Sequence, residues 1–241
     1  MRKSKFLALA TRYSFLKKIY YFYNIYFRNK KFLKNNSQFG EDRYLLNLFE
    51  KGYRGRYLDV GCFHPTKHNN TFLFFKSGWQ GINIDLNPLT IELFNFMRPN
   101  DININICVSS NEEEKILYFI NETNTQNTLS ENQLIFLKQH HNLKKEEIIE
   151  KKIQTRRLDK ILQEHNVDKI DFMNLDIEGH ELEVIKTINF EKTKIHYICV
   201  EMIKHNDLSK MNSKKIETLL ENNNFDLVKK FGFNYIFRNK E

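Results

Sequence analysis

Short apolar runs of β-prone residues alternate along this chain with stretches of helical period, and several of the runs stop at an acid. In residues 56–61 Leu58 and Val60 flank Asp59 and Gly61 ends the run, so a buried strand is predicted to stop abruptly in the loop that continues through Pro65. Residues 81–88 repeat the pattern, with Ile82, Ile84 and Leu86 apolar and Asp85 at the strand end. Between them FLFFKSGW forms an apolar helical turn that closes at Gly78 and Trp79, which makes a β-α-β unit with a right-handed crossover. Upstream, Tyr44, Leu45, Leu48 and Phe49 give residues 41–50 an apolar helical side that Ser37 or Gly40 would cap.

Downstream a helix is predicted over 89–97 and a third strand over 102–108. A strand at 115–120, a helix at 130–141, a strand at 147–155 and a helix at 158–165 then break the regular rhythm. Insertions of this kind often shape substrate pockets, and they are also simply where loops tolerate length. Ile170, Phe172 and Leu175 restore the strand pattern, which runs out at Asp176, Glu178 and Gly179 before a helix through Leu182, Val184, Ile185 and Ile188. Residues 195–202 are a nearly continuous apolar strand carrying Glu201 at its end. A helix over 214–222 and two runs separated by Gly232 predict a closing hairpin with an antiparallel strand. The result is a doubly wound, mostly parallel α/β sheet in which Asp59, Asp85, Asp176 and Glu201 share the edge where such sheets bind ligands.

The first 36 residues stand apart as a helical arm, leaving 37–241 as one domain without a linker or repeat. Phe6, Leu9, Tyr13, Leu16, Tyr20, Tyr23 and Phe27 follow a 3-4 spacing that lines one helix face. The longest unbroken apolar run there, residues 19–23, is too short to span a bilayer or to form a signal sequence. Residues 1–36 hold ten Lys/Arg and no acid, more than the whole net charge of +8. The domain itself is therefore slightly acidic, which weakens a nucleic-acid reading. Arm cations interleaved with aromatics suit an anionic membrane surface; packing on its own domain or on a second subunit is the alternative.

Three dispersed cysteines argue for a reduced compartment and against a zinc or disulfide framework. Asp59 with Gly61, and Asp85 some 20 or more residues on, have the spacing of a nucleotide-binding loop and its ribose carboxylate. The loop reads GCFHP, however, and lacks the later glycines a pyrophosphate requires, so nicotinamide binding is disfavoured.

SQFGED at 37–42, YLDVGCFHP at 57–65, NNT at 69–71, GWQGINIDLNP at 78–88, DFMNLDIEGHE at 171–181 and VEM at 200–202 together resemble the FkbM-type family of S-adenosylmethionine-dependent methyltransferases. The likeness spans about residues 37–238 and leaves out the arm. It implies a seven-stranded, Rossmann-like methyltransferase sheet and methyl transfer to oxygen, commonly a hydroxyl of a sugar or polyketide-like product. It also implies that Asp59 and Gly61 lie along the cofactor, that Asp85 holds its ribose, and that Gln38, Glu41 and Asp42 approach its methionine end. Asn70 and Thr71 match the polar pair that follows the family's first loop.

An acceptor alcohol must still lose a proton, and Asp176, Glu178, His180 and Glu201 are the candidates to take it. Asp176, Glu178 and Glu201 also suit Mg2+ or Mn2+, although the same acids could bind sugar hydroxyls directly. Glu178 and Glu181 have a plainer reading as helix-start charges, and His180 as a surface residue. His64 lies near either cofactor or acceptor, while His68, His140 and His141 have solvated contexts. Arg156 and Arg157 depart from the family pattern and would hold an anionic acceptor or pair with Glu147 and Glu150. The expectation is a cytoplasmic O-methyltransferase of a nucleotide- or lipid-linked sugar for surface polysaccharide, held at the inner membrane face by its arm. Rival readings are a non-catalytic cofactor-binding assembly module and an RNA methyltransferase.

Overall fold

The computed structural model describes residues 14–34, 37–120, 127–140, 147–202 and 206–241; the stripe positions Phe6, Leu9 and Tyr13, and His141, lie outside them. The arm contributes α1 (Ser14–Phe22), a π-helical stretch (Tyr23–Arg28) and a 3-10 turn (Lys30–Leu33). There follow α2 (Glu41–Leu46), β1 (Arg56–Val60), α3 (Phe72–Lys76), β2 (Gln80–Asp85), α4 (Pro88–Met97) and β3 (Ile102–Asn105). The middle of the chain holds β4 (Cys107–Val108), β5 (Glu114–Phe119), α5 (Glu131–His140), β6 (Ile149–Arg156) and α6 (Leu158–Glu164). It ends in β7 (Lys169–Leu175), α7 (Glu181–Ile185), β8 (Lys194–Glu201), α8 (Asp207–Asn222), β9 (Phe225–Phe231) and β10 (Asn234–Asn239).

Seven strands form one sheet in the order β3-β2-β1-β7-β8-β10-β9. β3, β2, β1, β7 and β8 are parallel, and the hairpin β9–β10 adds the antiparallel edge. Tyr57 to Val60 and Ile170 to Leu175 are buried throughout, because helices cover both faces of a parallel sheet. Side-chain alternation sends Leu58, Val60, Ile82 and Ile84 into one core cluster and Tyr57, Phe74, Trp79 and Phe172 into another. The strand order reverses between β1 and β7, which opens a crevice at their carboxyl ends.

The third strand differs from expectation. Ile106 donates its N–H to Asp85 O at 3.0 Å and the chain then leaves the sheet, so residues 102–108 split into β3 and β4. Cys107 and Val108 pair with Thr155 and Arg156 instead, building a small sheet β4-β6-β5 beside the crevice. The irregular middle of the sequence is thus a second layer at the strand ends. α8 begins seven residues earlier than expected because Asn206 and Ser209 form a reciprocal capping box, with bonds of 2.8 and 2.9 Å. Ser37 does not cap α2, since its hydroxyl donates to Asp42 Oδ1 at 2.5 Å; Gly40, at φ 93°, stands at that N-cap.

The arm's buried face is also not the predicted one. Tyr23 and Phe27 are 54% and 59% exposed, whereas Tyr21, Asn24 and Ile25 are buried. The helix passes into an i→i+5 pattern at Tyr23, so a stripe read at 3.6 residues per turn slips off the contact face. Tyr21 and Ile25 pack on Leu93 of α4. Lys17 Nζ reaches Glu92 at 3.0 Å, and the Tyr21 hydroxyl donates to the same carboxylate. The described part of the arm is therefore packed on its own domain.

Candidate functional site

At the strand-order reversal lies a cavity of about 530 Å3, within the range that holds a cofactor-sized ligand. Gly61 is its pivot. With φ +81° and room for no Cβ, which would sit 1.7 Å from Asp176 O, this position admits only glycine. Gly61 N–H bonds Ile84 O at 2.9 Å and Asp176 N–H bonds Val60 O at 3.0 Å, so the ends of β1, β2 and β7 are stitched into one rim.

Asp59, fully buried, is saturated with donors. Thr71 Oγ1 at 2.7 Å and Asn69 Nδ2 at 3.0 Å reach one oxygen, and Asn174 Nδ2 at 2.9 Å reaches the other. Burial raises its pKa and these hydrogen bonds oppose the rise. Asn70 donates to Asn174 Oδ1 at 3.0 Å. Thr71 and Asn70 thus stand behind Asp59 and Asn174 and do not line the cavity. Asp85 does line it, its two oxygens taking the N–H groups of Asn87 at 2.8 Å and Phe63 at 2.9 Å. Each oxygen keeps a lone pair for a ligand. Burial lifts this carboxyl to about 6.

The opposite end of the cavity is lined by Asp176, Glu178, His180 and Glu201. Asp176 and Glu201 are neighbouring acids, and their interaction favours the proton on Glu201 and the anion on Asp176. Burial and the neighbouring acids push Glu201 well above the carboxylate range and Asp176 to about 6; Glu201 holds the proton. Among the described residues its Oε2 is buried with no partner. Glu178, at φ 57°, accepts from Gln133 Nε2 at 3.1 Å and is raised by burial and by Asp176. His180 Nε2 lies 2.9 Å from Ser109 Oγ, and burial lowers its pKa to about 4, so it is a neutral imidazole.

The possibility of Mg2+ or Mn2+ at Asp176, Glu178 and Glu201 finds no support in this arrangement. Among the described residues no group of three or more His, Cys, Asp or Glu side chains is placed to hold an ion. Glu178 is engaged by Gln133. Glu181 keeps its plainer role, taking the N–H groups of Ile177 and Gly179 at 3.0 Å each. Where Glu147 and Glu150 were expected, Arg156 pairs with Glu164 and, at 3.6 Å, with Glu112, and Arg157 pairs with Asp159 at 2.8 Å.

Gln38 lines the cavity, but Glu41 and Asp42 do not. Glu41 is wholly buried, bonded to Phe39 N–H at 2.8 Å and to the Asn234 amide; it fastens α2 to β10. Cys62 also lines the cavity, with its thiol pushed far up by burial, and is no nucleophile at neutral pH. The plainer reading of His68 as solvated is half right: it is exposed but lines the cavity rim and meets Phe32 edge-on at 4.7 Å.

Several residues escaped the sequence reading. Arg98 is fully buried, donating to Tyr57 OH and Thr71 Oγ1 at 3.0 Å, to Asn69 Oδ1 at 2.9 Å and to Pro65 O. It pins the loop after β1 against the sheet. Asn174 had a visible signal, a lone amide within an apolar strand. Asn127, Thr128 and Gln133 come from the second layer and close the cavity on the Glu178 side.

A family model for the methyltransferase FkbM domain matches residues 55–227 of the chain. No curated protein matches it.

Proposed function

The chain belongs to the FkbM methyltransferase family, and on that premise we propose that it moves a methyl group from S-adenosylmethionine to a hydroxyl oxygen of a sugar or glycan precursor. The observation that carries this reading is the contrast along one cavity between a hydrogen-bonded Asp85 at one end and the neighbouring acids Asp176 and Glu201 at the other.

Support for the cofactor comes from the donors present. Asp85 retains lone pairs suited to two vicinal ribose hydroxyls, and the GCFHP loop has no glycine array that would favour a pyrophosphate. When bound, S-adenosylmethionine supplies a methyl group already activated for in-line displacement, which leaves alignment and proton removal to the protein. Asp176, raised to about 6, is ionised at neutral pH and would take the proton of the acceptor's hydroxyl, freeing that oxygen to receive the methyl group. Glu201 keeps its own proton and donates it to Asp176, while its free Oε2 accepts from a neighbouring hydroxyl. Glu178, its pKa raised by burial and by Asp176, and a neutral His180 add two more hydrogen-bonding groups. Such a set suits a polyol, which offers many hydroxyls and no compensating charge.

For the arm, the same proposal includes peripheral contact with the cytoplasmic face of a membrane. Phe15, Ile19, Phe22, Tyr23, Tyr26 and Phe27 are exposed on the side away from α4, and no helix among the described residues is long and apolar enough to cross a bilayer. Aromatic rings among lysines favour the headgroup region.

The test is transfer of labelled methyl from S-adenosylmethionine to a panel of nucleotide sugars. The wild type should form a methyl ether, and Asp176→Asn should lose about a hundredfold in rate or more while still binding cofactor. Undiminished transfer by Asp176→Asn removes it as the base, and methylation of RNA in place of the sugars removes the acceptor class.

A further inference from the structure

The arm meets the loop after β1 across a second, smaller cleft of about 60 Å3, lined by Asn24, Arg28, Phe63, His64 and Lys67. Its electrostatics are one-sided. Lys67 is half-buried, and its ammonium pKa is lowered by burial and by the nearby charges of Arg28 and Lys31. Among the described residues none of these three cations has a carboxylate partner, although Lys17 on the same arm is paired with Glu92. The Lys31 and Lys67 ammonium groups lie over the Phe32 and Phe63 rings, 4.7 and 5.0 Å from their centroids. That contact orients the cations without neutralising them.

The two elements that carry the cations are fixed to each other. His64 Nδ1 accepts from the N–H groups of Thr66 and Lys67, both at 3.1 Å. Its proton therefore sits on Nε2, which donates to Asn24 Oδ1 at 3.1 Å. Burial and the surrounding cations hold the His64 pKa to about 3, so the clamp stays neutral. Asn29 closes the joint through Asn24 Oδ1 at 2.7 Å. Like charges gathered on a fixed frame raise the free energy of the empty cleft, and an anion relieves it.

We propose that this cleft binds a phosphate group between Arg28 and Lys67, with Lys31 at its edge. A guanidinium fork from the arm and an ammonium from the loop after β1 match the several oxygens of a phosphate. The phosphate belongs either to a soluble phosphate or pyrophosphate or to the headgroup of an anionic phospholipid. The site does not depend on the methyl-transfer reading, although Phe63 and Thr90 line both this cleft and the large cavity.

The full chain is titrated calorimetrically with pyrophosphate at low ionic strength, and its co-sedimentation with phosphatidylcholine vesicles is measured with and without phosphatidylglycerol. Lys67→Gln and Arg28→Gln are the site variants, and Lys30→Gln, an exposed cation outside the cleft, is the control. Saturable binding in either assay is expected, weakened about tenfold by each site variant and unchanged by the control. Pyrophosphate binding assigns a soluble source, and binding to phosphatidylglycerol vesicles alone assigns a lipid headgroup. Absence of binding in both assays, or equal weakening by Lys30→Gln, overturns the site.

Discussion

At the β1 and β2 ends of the cavity, Asp59 and Asp85 are surrounded by donors: three side chains on Asp59 and two backbone N–H groups on Asp85. At the β7 and β8 ends, Asp176, Glu178 and Glu201 face one another, and one Glu201 oxygen has no partner among the described residues. Each group pairs a buried acid, Asp59 or Glu201, with partly buried ones, Asp85 or Asp176 and Glu178, so burial alone does not distinguish them. What differs is whether hydrogen-bond donors or a neighbouring carboxyl group answers the buried charge. Donors stabilise an anion in place and make a rigid wall, whereas a facing carboxyl retains a proton that is free to move. In the function proposed above, the first end holds the cofactor and the second exchanges a proton with the acceptor.

The most severe way to break this contrast is to separate the two ends. Gly61→Ala places a Cβ against the Asp176 carbonyl in a left-handed backbone conformation, and the expected cost is about 4 kcal/mol or more, seen as loss of the cooperative unfolding transition. A variant that unfolds like the wild type would show that the rim has room to open. Arg98→Met comes next. It strips donors from Asn69, Thr71 and the Pro65 carbonyl without touching Asp176. About 3 kcal/mol of stability should be lost in denaturant titration, with cofactor affinity falling more than the pH optimum moves.

A smaller effect sharpens the comparison through pH. Asp85 and Asp176 rise from the ordinary 3.8 to about 6 on folding. The folded chain therefore binds more protons than the unfolded one between those values, so this contribution to stability is full below 3.8 and is lost as pH rises through about 6. Methyl transfer should run the other way, because Asp176 works as a base only when ionised. Denaturation midpoints should thus decline over the window in which rates climb, and Asp176→Asn should flatten the rate profile. A rate that falls as pH rises through that window contradicts Asp176 as the base.

The sheet was legible because buried strands write themselves as apolar runs and the acids interrupt those runs at their ends. Asp59, Asp85, Asp176 and Glu201 stood out for that reason. Their division into two kinds was not legible, since the donors that separate them come from Asn69, Thr71, Asn87 and Asn174, scattered over a hundred residues of chain. Arg98 was hidden for the same cause. A single cation closing an apolar helix reads as a helix-end charge until Tyr57, Pro65, Asn69 and Thr71 are folded around it. The arm misled differently, its regular spacing ceasing to describe a face where the backbone turned to π-helix.

The most direct measurement is the affinity for S-adenosylmethionine of Asp85→Ala and Asp176→Asn, titrated side by side with the wild type. Loss of a carboxylate that binds two hydroxyls should weaken Asp85→Ala about tenfold or more, while Asp176→Asn, altered only at the proton-exchanging end, should bind within about twofold of the wild type. Equal weakening of both, or a weaker Asp176→Asn with an unaffected Asp85→Ala, would contradict the division of the cavity into a holding end and a reacting end.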